Sequence, residues 1–369
     1  MSGTSTAGTK IREATLGDYA QIAALNSRNG LEVKSQQEWE HIWVNNPAYK
    51  KVPNWPIGWV AEINSQIVGF VGCIPLSFFF KGREIIGDST HSLCIDPPYR
   101  GYLILLAKRY MKHCRGLDYS VDSSANANSY RLLDGLKIPR VPVGDWGNSV
   151  FWITDYVGFV GSALGRKGLP KLLAYPVAAV LKNRDRLTKP RSRIRQSMEV
   201  SHCTEFDERF ERFWEELKQA NPNRFLSTRS REMLQWHYQY ALARGRMWIL
   251  TVGGPSRITA YALFHRVDSP EINLKRVRLV DFQLLDQNTQ VLIPMLAWAV
   301  RKCEEEGIHM LEAYGFRPEK QKVIDGLAPY KRQLPAWFYF YKAWNKSLEA
   351  ELRDPNVWDP SHYDGDASL

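Results

Sequence analysis

The chain has 369 residues, of which 44% are hydrophobic and 24% charged, and its formal net charge is +10. This length favours two domains that each bury a core, and the composition excludes a low-complexity or disordered protein. No run of about 18 uncharged apolar residues occurs, which argues against a transmembrane helix.

The cysteines and the N-terminus indicate the compartment. Residues 1–10 are polar and lack the apolar segment of a signal peptide, so we expect a disordered N-terminus. The cysteines have no metal-ligand spacing, which predicts reduced thiols, no metal site and a cytoplasmic protein. They are Cys73, Cys94, Cys114, Cys203 and Cys303.

The first half of the sequence alternates short apolar strands with amphipathic helices. Asp18 and Ser35 are placed to begin two helices, and polar turns separate the strands that follow. In chain order we predict a strand at 11–15, helices from 18 and from 35 to 46, strands at 59–63, 67–74, 77–80, 84–86 and 91–95, a helix at 102–113, a strand at 119–121 and a helix at 128–136.

The positive charge is concentrated in the segment that joins the two halves, 161–198. Ten basic residues and one acid, Asp185, contribute +9 of the net charge, and an apolar stretch at 169–181 lies within the segment. We expect either a linker helix with a solvated basic strap or a docking site for a polyanion: nucleic acid, an acidic carrier protein or an anionic membrane. The basic residues are Arg166, Lys167, Lys171, Lys182, Arg184, Arg186, Lys189, Arg191, Arg193 and Arg195.

The second half repeats the first at a nearly constant offset. Asp18 and Asp207, which each open a helical run, are 189 residues apart, and so are Trp59 and Trp248, which each begin a hairpin. Fixed-period similarity of this kind indicates a duplicated domain. Matching elements are predicted at 211–219, 247–252, 258–265, 276–284, 291–305 and 310–313, and a turn-rich C-terminal tail at 346–369 is expected to be mobile.

The element order β-α-α-β-β-β-α-β-α, with Pro97-Pro98-Tyr99-Arg100-Gly101 between a strand and a helix, resembles the GNAT superfamily of acyl-CoA-dependent N-acyltransferases. The resemblance covers 11–150 and, by element order, 199–343. It implies an α/β protein with two tandem GNAT-like domains, at 11–160 and 199–345, whose mixed, mostly antiparallel sheets are flanked by helices and joined by the basic linker at 161–198. Peptidoglycan aminoacyltransferases of the Fem type share this arrangement.

The resemblance also implies donor-binding residues. The family's phosphate loop usually reads Arg/Gln-x-x-Gly-x-Gly/Ala, because backbone N–H groups at a helix N-terminus bind the pyrophosphate of coenzyme A. Arg100 and Gly101 fit the start of this loop, whereas Leu103 and Leu105 stand at its glycine positions, and the second copy has neither the arginine nor a glycine. The further donor-binding candidates are Cys94, Asn126 and Asn128, the asparagines at a turn where the family contacts the pantetheine arm.

Five residues are candidates for proton transfer, among them Asp88 on the fourth strand. Asp281 and Glu312 lie within apolar strands, where burial is expected to raise a carboxyl pKa, although either may pair with an arginine. His91 is a candidate base on the fourth strand, or a satisfied core histidine. Leucine stands where many GNAT members have a catalytic tyrosine, and Tyr130, one helical turn earlier, is a substitute acid or a packed aromatic.

Together these features predict an N-acyltransferase that moves an acyl group from a thioester donor to a small-molecule or peptide amine. The donor is an acyl-CoA, acetyl or longer, bound by the first copy. Because the glycine positions are leucines, an acyl carrier protein or an aminoacyl-tRNA held by the basic linker at 166–195 is an alternative donor. A tandem-GNAT scaffold without catalysis is the non-enzymatic alternative.

Overall fold

The computed structural model describes residues 10–52, 54–188 and 199–369. Within them the strands are β1 Lys10–Glu13, β2 Gly58–Ile63, β3 Gln66–Phe80, β4 Arg83–Ile95, β5 Tyr119–Asp122, β6 Asn148–Ile153, β7 Ser201–Cys203, β8 Leu226–Ser227, β9 Met247–Gly253, β10 Ile258–Arg266, β11 Arg276–Leu284, β12 Met310–Ala313, β13 Tyr330–Gln333 and β14 Phe340–Ala343. The helices are α1 Tyr19–Arg28, α2 Gln36–Val44, α3 Pro47–Lys51, α4 Leu103–Cys114, α5 Ala127–Gly135, α6 Tyr156–Arg166, α7 Ala174–Thr188, α8 Glu208–Ala220, α9 Arg231–Ala243, α10 Leu292–Glu305, α11 Pro318–Leu327 and α12 Lys346–Glu351.

The strands form two sheets of the same design. The first has the order β1-β2-β3-β4-β5-β14, with β8 added to β3, and the second has the order β13-β6-β12-β11-β10-β9-β7. In each sheet one central pair is parallel, β4 with β5 and β11 with β12, and the neighbouring pairs are antiparallel. The predicted fold class and the duplication are therefore confirmed.

The two halves exchange strands. Strand β6, from the first half of the chain, lies in the second sheet between β12 and β13, and β14, from the second half, pairs with β5 in the first sheet. Residues 139–141 run beside β14 and bond to its backbone, with Val141 N–H donating to the Tyr339 carbonyl at 3.1 Å. The sheets thus do not follow the predicted division at 160 and 199, because each range supplies a strand to the other sheet.

The predicted mobile tail is wrong. Trp358, Tyr363 and Ser368 are almost fully buried, and the last residues of the chain pack between the two sheets. Polar bonds hold them there: Arg229 Nη2 donates to Asp364 at 2.9 Å, and the Ser368 hydroxyl bonds His237 Nε2 at 3.0 Å. Turn-rich composition indicated the irregular backbone of this C-terminal segment (residues 358–369) but not its burial.

The linker is helical where it is described. Helix α7 packs on α6 through Ala174 and Ala178, whereas Leu172 and Val180 are exposed. Of the ten basic residues, Lys189, Arg191, Arg193 and Arg195 lie outside the described residues. No helix in the described part of the chain is long and apolar enough to cross a membrane.

Candidate active site

The first sheet opens where β4 and β5 stop pairing. Their parallel register runs from Gly87 opposite Tyr119 to Ser89 opposite Val121, after which β4 continues to Ile95 and β5 ends. A β-bulge with Ser92 at φ 51° bends β4 at this point. We call the gap beyond Ser89 and Val121 the first splay.

On its helix side, the first splay leads into a mostly apolar cavity of about 70 Å³ under α4 and α5. Leucines from both strand and helix line it, and Ser120 and Asp122 supply polar groups where it meets the splay. Its apolar lining includes Val71, Leu93, Ala107, Met111, Val121, Leu132, Leu133, Leu136, Ile138, Phe340 and Trp344. A mostly apolar slot ending at a few polar groups suits an elongated amphiphilic ligand.

On the opposite side of the first splay, His91 meets the C-terminal segment. His91 Nδ1 lies 3.0 Å from Asp366 Oδ2, with side-chain exposures of 13% and 6%. Gly365 makes this approach possible, since a Cβ there would lie 2.0 Å from Ser123 Oγ. The pair has the geometry of a histidine base oriented by a carboxylate.

Asp122 connects the two sides. It is fully buried, and desolvation, followed by repulsion from Asp366, raises its pKa to about 8. Asp122 Oδ1, Ser123 Oγ and Asp366 Oδ1 are buried without a hydrogen-bond partner among the described residues. Buried polar atoms are normally satisfied, so their concentration at one splay makes it a candidate functional site.

The predicted donor loop lies at the end of α4 nearest the first splay. Arg100 and Gly101 are exposed in the 3-10 turn Pro97–Tyr102, and nothing lies within 4 Å of a Cβ built on Gly101. Ile104 and Leu105 are exposed on the first turn of the helix. Arg100 and Gly101 are therefore accessible to solvent, and the exposed residues beside them are apolar rather than glycine.

Three other first-half candidates have structural partners. Asn126 begins α5, where its Oδ1 accepts from Ser129 N–H at 3.1 Å. Cys94 is buried against α1, its thiol 3.4 Å from Asn26 Oδ1, and burial raises its pKa to about 12. The Tyr130 hydroxyl accepts from Arg140 at 2.7 Å, outside the cavity lining. The side chain of Asn128 lies outside what the structure describes.

The equivalent splay of the second sheet is filled. Strands β11 and β12 pair from Arg276 to Arg278, and beyond this point Lys320 Nζ donates to the Phe282 carbonyl at 2.7 Å. The same ammonium bonds Asp359 at 2.7 Å, so a buried ion pair fills this splay. Asn288 at the preceding turn accepts from Gln290 N–H, which is its structural capping role.

Asp281 lies in a buried ion network, far from solvent. Arg229 Nε donates to Asp281 Oδ2 at 2.9 Å, and Arg229 Nη2 also binds Asp364. Burial disfavours the charge of Asp281, but the arginine outweighs it and lowers the pKa. One cation cannot balance two buried carboxylates, and burial raises the pKa of Asp364 to about 7.

Glu312 is surrounded by arginines. Its oxygens are bound by Arg276, Arg278 and Arg332, and Ser149 Oγ donates at 2.6 Å. The arginines outweigh desolvation and hold the Glu312 pKa at about 2. For both second-half carboxylates the predicted burial is confirmed, but the predicted direction of the pKa shift is wrong because cations surround them.

Of the candidate catalytic residues, His91 alone lies at the first splay among the described residues. Sequence reasoning missed Asp122, Ser123 and Asp366. The strand ending at Asp122 was predicted, and a carboxylate at a strand end was the available signal. For Asp366 there was none, because its contact with His91 spans 275 residues.

No protein-family model and no curated protein matches this sequence. Solved structures do match. A GCN5-related N-acetyltransferase from Anabaena variabilis is 12% identical, with TM-score 0.54, over 92% of this chain and 73% of that one. An N-myristoyltransferase from Saccharomyces cerevisiae, solved with myristoyl-CoA, is 10% identical, with TM-score 0.58, over 92% and 82%. The fold is therefore a tandem GNAT fold, like that of N-myristoyltransferases.

A probable N-acyltransferase from Enterococcus faecalis is similar in structure as well, with 10% identity and TM-score 0.57 over 92% of this chain and 73% of that chain. At these identities the likeness is one of fold, and function has to be argued from the site.

Proposed function

We propose that the protein is an N-acyltransferase whose donor thioester binds at the first splay. The observation that carries this proposal is the convergence there of an apolar slot, the His91–Asp366 pair and unpartnered buried polar atoms, while Lys320 fills the second splay. An acyl-CoA is the donor we favour, since Arg100 and Gly101 lie exposed at the end of α4. The acceptor is a small-molecule or peptide amine.

The chemistry follows from the two sides of the splay. The pantetheine arm enters under α4 and α5, and the amine approaches from the side of His91. Asp366 accepts from His91 Nδ1–H, which leaves Nε2 to take the proton of the attacking amine. The C–N bond forms, the C–S bond breaks, and coenzyme A leaves as the thiolate. Most of the acceleration comes from positioning the two reactants.

Two measurements test the proposal. Thermal-shift titration with acetyl-CoA and longer acyl-CoAs should raise the midpoint with concentration, and Arg100→Ala should weaken the shift. Thiol release from the best donor, with a panel of amines, should fall by about 10²–10⁴-fold in His91→Gln, the range typical of a lost general base.

The outcomes separate the alternatives. If no acyl-CoA shifts the midpoint, the CoA-donor proposal fails, and carrier-protein or aminoacyl-tRNA donors are tested next by salt-dependent binding. If acyl-CoA binds but His91→Gln releases thiol at the wild-type rate, His91 is a structural residue. If neither thioester nor tRNA binds, the scaffold alternative replaces the enzyme.

A further inference from the structure

The three arginines around Glu312 carry more positive charge than the carboxylate neutralises. Arg276, Arg278 and Arg332 contact Glu312, and no other acid contacts these guanidinium groups within the described part of the chain. We call this set the arginine cluster. Its formal charge is +2, in a place where burial makes unbalanced charge costly.

The cluster also has unused donors. A guanidinium has five N–H groups in a planar fork. Arg278 Nε and Arg332 Nε are buried and have no hydrogen-bond partner among residues 10–52, 54–188 and 199–369. Both Glu312 oxygens are already bound, so the carboxylate has little capacity to satisfy further donors.

Solvent reaches the cluster. The side chains of Arg276 and Arg278 are 14% exposed, and that of Arg332 is 39% exposed on the edge strand β13. Burial and the two neighbouring arginines lower the pKa of Arg276, as expected where cations crowd one another. A partly exposed, preorganised group of arginines binds carboxylates and phosphates bidentately.

A chain of contacts connects the cluster to the C-terminal segment. Arg278 lies 5.2 Å from the Tyr314 ring, and Tyr314 lies 4.4 Å from the His362 ring. Four residues of the C-terminal segment lead from His362 to Asp366, the partner of His91, and they span at most about 14 Å. Tyr314 and His362 are buried, so packed side chains, rather than open space, connect the cluster with the C-terminal segment.

We infer that the arginine cluster is a binding site for a small oxyanion, a carboxylate or a phosphate. This inference goes beyond the proposed function and does not rest on it. Oxyanion binding by the cluster is measurable without a donor and without turnover.

The test compares two charge deletions on one strand. Arg332→Gln removes a guanidinium from the cluster, whereas Lys331→Gln, one residue away, removes an exposed charge that faces Asp325 instead. Calorimetric titration with inorganic phosphate and with glutarate, at constant ionic strength, measures binding to each variant. We expect Arg332→Gln to weaken at least one anion by about tenfold or more, and Lys331→Gln to leave its affinity unchanged.

Three results decide the matter. If Arg332→Gln weakens the binding of phosphate or of glutarate and Lys331→Gln does not, the inference is supported, and the anion that the wild type binds more tightly is identified as the preferred class. Equal losses in both variants, or no binding to the wild type, overturn it. Acetyl-CoA titration keeps the two proposals apart. If Arg332→Gln loses anion binding but keeps its affinity for acetyl-CoA, both proposals stand. If the wild type does not bind acetyl-CoA, only the proposed function fails.

Discussion

Arg229 shows how one buried cation ties the C-terminal segment to the second sheet. It is 0% exposed and binds Asp281 on β11 and Asp364 in the C-terminal segment. Arg229→Met leaves two buried carboxylates without a cation, so we expect the free energy of unfolding to fall by about 3–5 kcal/mol in urea titrations. Arg257→Met, which breaks the exposed pair with Glu216, is the control and should change it little. Equal effects would show that burial of Arg229 is unimportant.

Asp122 gives a pH dependence whose sign is fixed. Its folded pKa is about 8, against about 3.9 for an unfolded aspartate, so the folded state holds the extra proton between these values. Stability therefore falls as pH rises through this window, by up to about 1.4 kcal/mol per pH unit for one group. In Asp122→Asn the slope of stability against pH between 5.5 and 7.5, measured by urea unfolding, should be shallower by up to about 1.4 kcal/mol per pH unit. The pKa values of Asp88 and Asp364 are raised too, but both residues are present in the wild type and in the variant, so their effect cancels in the comparison. An unchanged slope of stability against pH would therefore contradict the raised pKa of Asp122.

At the level of secondary-structure elements, hydrophobic patterning predicted β9, β10, β11 and β12 to within about one residue, because each lies in a regular apolar run. It did not show that β6 and β14 change sheets, since a strand's partner is set by packing far along the chain. Asn46-Pro47 was predicted to end a helix, and α2 does end at Val44; the sequence did not show that Asn46 also begins α3 by accepting from Ala48 N–H at 2.8 Å.

Helix α11 fills the second splay through Lys320. Lys320 on α11 is buried, and its ammonium replaces the hydrogen bonds that a donor arm would make to β11. Lys320→Met leaves the Phe282 carbonyl and Asp359 unsatisfied, so we expect a loss of about 3 kcal/mol in unfolding free energy. Adding Asp359→Asn should restore part of it. Acetyl-CoA affinity should stay at the wild-type value, and a change would place a donor in the second half.

For the molecule as a whole, strand exchange makes each half incomplete. A fragment ending at 198 lacks β14 and β8 of its own sheet, and a fragment starting at 199 lacks β6 between β12 and β13. Unpaired edges of this kind promote aggregation. The site is built across the exchange too, since His91 comes from the first half and Asp366 from the second.

We therefore expect neither fragment, 1–198 or 199–369, to fold when expressed alone, and the two to copurify when expressed together. The reason is that the buried contacts of β6 and β14 belong to the other half's sheet. Circular dichroism and urea titration of each fragment give the measurement, with the intact chain as control, expected to unfold in one transition. A cooperative transition in either fragment alone would show that its sheet closes without the exchanged strand, and would make the halves independent folding units.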